Sequence, residues 1–250
     1  MKVIYVNYSD INYRENQNNL IDYARRNNLF DGFIPYTREW LVTKDFYKEN
    51  KNILDKDRLA GYTIWKPYII LQAFESIDDG DVVVYMDCGD VPGSKLKGIV
   101  SDYLQTHDQY LLEQYPQNIH RWFTKRDCFV YMDCDDQKYW NGVQLEGGFM
   151  AFKKNKYNID FLEEYLQYCT DERIVTDIPN QCGLENFHGY QGHRHDQSVI
   201  TNLQIKYDLP KVVGHDAPAR NSIKWNALYH KDGENYSNGS YNWGETGCLK

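Results

Sequence analysis

The chain has 250 residues, 42% of them hydrophobic. That is enough for one α/β domain with a sizeable core, and it excludes a disordered composition. A formal charge of −8 argues against a nucleic-acid partner, and no apolar run approaches the roughly 18–20 residues of a membrane span.

Val3–Asn7 reads as a first β-strand rather than a leader peptide. Asn18–Asn27 reads as a helix, Phe33–Tyr36 as a second short strand, and Glu39–Asn50 as a surface helix. Gly61 opens a helical order through Trp65, Tyr68, Ile69, Leu71, Gln72, Phe74 and Glu75, with Pro67 in the first turn, where its missing N–H costs little. Trp65 is expected in the core. The turn Asp79-Gly80-Asp81 ends that helix, and Val82-Val83-Val84-Tyr85 then forms a buried strand expected in the middle of a parallel sheet. Further helices are expected at Ile99–Thr106, Ile159–Cys169 and Asp196–Tyr207. Tyr110–Gln114, Cys128–Met132 and Gly147–Phe152 are strand-like, and the tail after Asn221 reads as loop. The six cysteines, Cys88, Cys128, Cys134, Cys169, Cys182 and Cys248, include no C-x-x-C pair. Without a secretory signal they point to free thiols in a reducing cytoplasm.

The central hydrophobic strand runs into Met86-Asp87-Cys88-Gly89-Asp90. Ligands of open α/β sheets bind beyond the carboxyl ends of strands. Carboxylates fixed there suit Mn²⁺ or Mg²⁺, which prefer oxygen ligands, and such an ion stabilises charge on a departing diphosphate. Asp87 and Asp90 are therefore metal candidates. Gly89 separates them and would have to turn the chain inward; alternatively Asp90 caps the turn with its own backbone bonds. A literal Asp-x-Asp at Asp133-Cys134-Asp135 is an alternative metal site. The basic segment His120–Arg126 is either a solvated turn or a phosphate contact.

These residues resemble small glycosyltransferases of the GT-A type, found in bacterial surface-polysaccharide clusters and in large DNA viruses. The resemblance is carried by Arg58-Leu59-Ala60-Gly61-Tyr62-Thr63-Ile64-Trp65-Lys66-Pro67-Tyr68-Ile69-Ile70, Gly80-Asp81, Tyr85–Gly89, Lys125-Arg126-Asp127, Gln144–Phe149 and Arg194–Ser198, in order across residues 1–215. It implies a single-domain Rossmann-like α/β fold with a mostly parallel central sheet flanked by helices. Its nucleotide-binding half would be 1–110, its acceptor half 111–220 and its loop-rich tail 221–250. It also implies a nucleoside-diphosphate-sugar donor, UDP-sugar being the commonest guess, a carbohydrate acceptor and usually Mn²⁺ or Mg²⁺. Gly89 replaces the second acidic residue of the common pattern.

Asp196-Gln197 resembles the Asp-Gln pair of retaining transferases, near the reacting carbon. Asp196 could equally cap the helix that follows it. Glu146 is a candidate base or acceptor-binding group, beside Gly147 and Gly148, whose bare backbones let a sugar approach. Asn7, Tyr8, Arg58, Lys66, Asp87 and Gly89 are donor-site candidates; Arg58 and Lys66 would contact the diphosphate or else lie along a helix face. His195 is placed on the acceptor side. A third metal ligand could be His193, His195 or His215, the last following Val212-Val213. Cys182, His188, His193 and His195 match no zinc-finger spacing. Two other readings stay open: a metal-dependent hydrolase of phosphate or sugar esters using the same acidic tip, and a non-catalytic carbohydrate-binding domain resting on 22 Tyr and 6 Trp.

Overall fold

The computed structural model describes residues 1–214 and 217–225. Its centre is a five-stranded sheet. The strands are β1 (Val3–Ser9), β2 (Gly32–Thr37), β3 (Val82–Met86), β5 (Gln109–Glu113) and β6 (Leu145–Lys153), in the spatial order β2-β1-β3-β6-β5. A second, two-stranded sheet pairs β4 (Val91–Pro92) with β7 (Ile223–Lys224).

Alternation along the strands explains the layers. Val82, Val84 and Met86 of β3 face one core, with Leu20, Ile21 and Ala24 of the Arg14–Arg26 helix and Leu96 and Val100 of the Leu96–Tyr103 helix. Val83 and Tyr85 face the other, with the helices Trp65–Phe74, Lys156–Cys169 and His195–Lys206. Because β3 is covered on both faces, it carries an unbroken apolar run. The fold is thus helices on both sides of one α/β sheet.

The sheet is mixed, not purely parallel. β1 pairs with β2 and β3 in parallel, but β3 pairs with β6 antiparallel, Met86 opposite Phe149. This reversal sets the amino end of β6 beside the carboxyl end of β3, where Asp87 N–H donates to Gly148 O at 2.9 Å.

Three local expectations change. Cys128–Met132 is not a strand: Arg126–Tyr131 is helical, and Cys128, Phe129 and Met132 are all fully buried. Their i, i+1, i+4 spacing marks one helical face. The Glu39–Asn50 helix is broken into Arg38–Leu41 and Asp45–Glu49. The tail after Asn221 is not loop from its start, since Ile223–Lys224 is β7. No helix among the described residues is long and apolar enough to cross a membrane. Cys88, Cys128, Cys134 and Cys169 are buried free thiols and Cys182 is a half-buried one, while Cys248 lies outside the described residues.

Candidate functional site

The chemistry-bearing residues gather where β3 ends and β6 begins. Asp87 follows the last residue of β3, and its side chain is 48% exposed. Its two oxygens face different ways. Oδ1 accepts from the Tyr85 hydroxyl and lies 3.9 Å from Lys66 Nζ. Oδ2 faces Gly148: a β-carbon on that glycine would lie 3.2 Å from Asp87 Oδ2 and 3.1 Å from Asp90 Oδ2. The two carboxylates therefore converge on one point and are no further apart than the sum of those distances. Any larger residue at 148 would crowd that point.

Gly89 does not turn the chain by a left-handed conformation, as it is absent from the positive-φ residues. The reversal is instead a tight turn in which Asp90 N–H donates to Asp87 O at 3.0 Å. Asp90 itself is buried. The chemistry fits a small hard cation, because Mg²⁺ and similar ions are held by one or two carboxylates with substrate phosphates and water completing the shell. Among the described residues no group of three or more His, Cys, Asp or Glu could hold a metal. His215, the expected third ligand, lies outside the described residues.

Behind Asp87 sits a buried ion pair. Lys66 is 2% exposed, so its stem does not lie along a solvated helix face. Its Nζ lies 2.9 Å from Asp196 Oδ2 and donates to Gly147 O at 2.7 Å. Burial alone would lower the Lys66 pKa, but the Asp196 and Asp87 carboxylates outweigh it and hold the ammonium above the usual lysine range. Asp196 is not the cap of its helix. The residue before the helix is Arg194, no side-chain cap bond forms there, and Asp196 lies inside the first turn. Its carboxylate instead accepts from Thr63 Oγ1 on one oxygen and from Tyr165 OH at 3.0 Å on the other, which Lys66 also meets. At 4% exposure it is sealed from solvent. Its neighbour Gln197 is half-buried, and its Oε1 lies 2.9 Å from where a Gly147 β-carbon would be. Of the Asp196-Gln197 pair, only Gln197 borders the open side.

Glu146 forms the far wall. Burial raises its carboxyl pKa, against the opposing pull of Arg220. Gln114 Nε2 donates to its oxygens at 3.4 and 3.5 Å, Gly148 N–H at 3.4 Å, and Arg220 Nη1 stands 3.6 Å away. Arg220 arrives from the Pro218–Asn221 helix and also donates from Nη2 to Glu113 O at 2.7 Å. Arg194 donates to Gln114 Oε1, and burial brings its pKa down to about 10.

Several other expected site residues are engaged in contacts of their own. Asn7 is fully buried, its amide bonded to Gln17 Nε2 at 2.9 Å and to Tyr5 OH at 3.1 Å. Tyr8 is buried and stacks on Trp65 at 4.0 Å, and burial raises its hydroxyl pKa to about 12. His195 is also buried; Nδ1 bonds to Val175 O at 2.8 Å and Nε2 accepts from Arg58 Nε at 3.4 Å. Arg58 pairs with Asp177 at 3.3 Å. His193 bonds to Ile174 O and to the Lys125 N–H. These two histidines, with both nitrogens occupied, cannot form a zinc cluster with Cys182 and His188. At the alternative Asp-x-Asp, Asp135 is held by Arg126 and Trp140, each at 2.9 Å, and Cys134 is fully buried. Thr63, Tyr165, Gln114, Arg194 and Arg220 complete the site although their place in the sequence points to no role for them. No short-range pattern could have signalled them, since each meets its partner across 31 or more residues.

No family model and no curated protein matches the sequence. Solved structures do. The chain is similar to a glycosyltransferase involved in the glycosylation of the major capsid of PBCV-1, at 11% identity over 72% of each chain with a TM-score of 0.40. It is similar to mouse xyloside xylosyltransferase 1, at 12% identity over 85% of this chain and 72% of that one, TM-score 0.46. The galactosyltransferase LgtC, in complex with donor and acceptor sugar analogs, matches at 10% identity over 80% and 70%, TM-score 0.38. Likenesses this distant assign no residue a role.

Proposed function

We propose that this chain is a glycosyltransferase that moves a sugar from a nucleoside-diphosphate donor, UDP-linked by first choice, onto a carbohydrate acceptor with the help of Mn²⁺ or Mg²⁺. The observation that carries the reading is the convergence of Asp87 Oδ2 and Asp90 Oδ2 on the Gly148 position, at the sheet edge where α/β proteins bind ligands. The GT-A motifs shared by residues 1–215 support it.

In this reading Asp87 and Asp90 hold the ion, which when bound supplies positive charge to the departing diphosphate. Asp87 can offer Oδ2 because Tyr85 and Lys66 occupy its Oδ1 side. Gly147 and Gly148 are buried, and their missing β-carbons leave room for Gln197 and for the two carboxylates. Gln197 presents an amide oxygen at the open side, where positive charge builds on the reacting carbon; a retained configuration would be in keeping with the Asp-Gln resemblance. Glu146 is suited to take the acceptor hydroxyl proton, because its raised pKa brings it closer to neutrality. Residues 1–110 then form the donor half and 111–220 the acceptor half.

A thermal-shift screen of UDP and UDP-sugars with and without Mn²⁺ tests this. Ligand at 100 times its Kd stabilises by about 2.7 kcal/mol, a rise of roughly 5–11 °C for a chain of this size. The Asp87→Ala variant should fold, lose the Mn²⁺-dependent part of that rise and lose transfer. An unchanged nucleotide response in Asp87→Ala would refute the site. Cleavage of simple phosphate esters without acceptor would favour a hydrolase, and glycan binding indifferent to nucleotide a binding domain.

A further inference from the structure

Leu59, Ala60, Gly61, Tyr62 and Thr63 all have positive φ, at 50°, 52°, 92°, 54° and 60°. A single left-handed residue is common; a run of five is not, because a β-carbon crowds the following carbonyl at every residue but glycine. Gly61 fits for a second reason, since a β-carbon there would lie 2.6 Å from Leu54 Cα. The other four residues hold a disfavoured conformation that tertiary contacts must offset.

Those contacts converge on one place. The Tyr62 ring meets the His195 ring edge-on at 4.9 Å, and His195 is itself left-handed at φ 49°. Thr63 Oγ1 donates to Asp196 Oδ1, and Thr63 O accepts from Lys66 N–H at 2.9 Å, starting the Trp65–Phe74 helix. Lys66 Nζ then reaches Asp196 at 2.9 Å, Gly147 O at 2.7 Å and Asp87 at 3.9 Å. Two strained segments, from positions more than 130 residues apart, thus close on one carboxylate and one ammonium directly behind Asp87.

We propose that the Leu59–Thr63 turn is a positioning device: Thr63 orients Asp196, Asp196 fixes Lys66, and Lys66 sets both the Asp87 carboxylate and the Gly147 carbonyl. Thr63 and Lys66 are positioning residues: Lys66 is 2% exposed, and Thr63 acts through Asp196, itself 4% exposed. A right-handed turn at 59–63 would carry Thr63 away from Asp196. It would leave Lys66 free to follow Asp87 instead.

The inference rests on the cation reading for its first readout only. In a Mn²⁺ titration with UDP present, followed by the electron paramagnetic resonance of free Mn²⁺, Thr63→Val should weaken Mn²⁺ binding about tenfold, part of the ten- to hundredfold that a hydrogen bond to a charged group is worth. Thr63→Ser, which keeps the hydroxyl, should stay within about twofold. Ile21→Val, a change in the core on the opposite face of the sheet, should lower stability and leave the affinity as it is. The second readout needs no metal. In amide NMR spectra the Asp87, Gly147 and Gly148 resonances should shift in Thr63→Val and hold still in Thr63→Ser and Ile21→Val. If those three resonances do not respond to Thr63→Val, the positioning device is overturned, whether or not Mn²⁺ binds. If they respond and the wild-type protein takes up no Mn²⁺, the device stands and the cation reading falls.

Discussion

Lys66→Met removes an ammonium but keeps most of the side-chain volume, so it isolates the charge. It leaves Asp196, 4% exposed, with two hydroxyl donors and no cation. Breaking one side of a buried pair typically costs about 3–5 kcal/mol. For a chain of this length that lowers Tm by roughly 6–20 °C. Asp196→Asn should cost less than Lys66→Met, because Lys66 keeps Asp87 at 3.9 Å and the Gly147 carbonyl at 2.7 Å. The double variant removes both charges and should be more stable than Lys66→Met alone, since a neutral replacement of a buried pair is often tolerated. Urea unfolding followed by tryptophan fluorescence gives the three free energies. Additivity of the two single variants within about 0.5 kcal/mol would show that the residues do not interact, and the account of the site would fail.

Gly148→Ala should weaken Mn²⁺-dependent nucleotide binding by about 10–100-fold, because its β-carbon would stand 3.1–3.2 Å from both carboxylate oxygens and spread them. Gly148 needs no positive φ, so the fold should survive and Tm should change little; an ordinary affinity in this variant would contradict the converging geometry. Acid should destabilise the protein below neutrality. Burial lowers the pKa of His120 to about 3 and pushes His193 and His195 below the usual histidine range. The unfolded chain then binds more protons than the folded one between about pH 6.5 and 3, so this stability is complete above pH 6.5 and drains away as the pH falls. His120 alone accounts for about 2 kcal/mol by pH 5. Its ring bonds to Asn202 and Gln144, and Gln144 in turn holds Gln197 at 2.5 Å, so acid should also loosen the site. A Tm that stays flat from pH 7.5 to 5 would be inconsistent with neutral buried histidines.

The sequence by itself determined the elements whose signal is local. Val82–Tyr85 is apolar at every position because both faces are covered, so the central strand and the acidic tip after it were legible. So were the helices whose periodicity drives one face inward, although Cys128–Met132 was misread because strand-forming residues there repeat at helical spacing. Which carboxylates meet was decided only by the tertiary structure. β6 runs antiparallel to β3, and this direction alone brings Glu146, Gly147 and Gly148 to Asp87. Lys66 and Asp196 lie 130 residues apart, and nothing local pairs them until the fold brings them to 2.9 Å and removes water from both. Gly61 hinted at an unusual turn, but the left-handed conformation of its four neighbours is stable only because contacts with His195 and Asp196 offset what the isolated peptide would not tolerate.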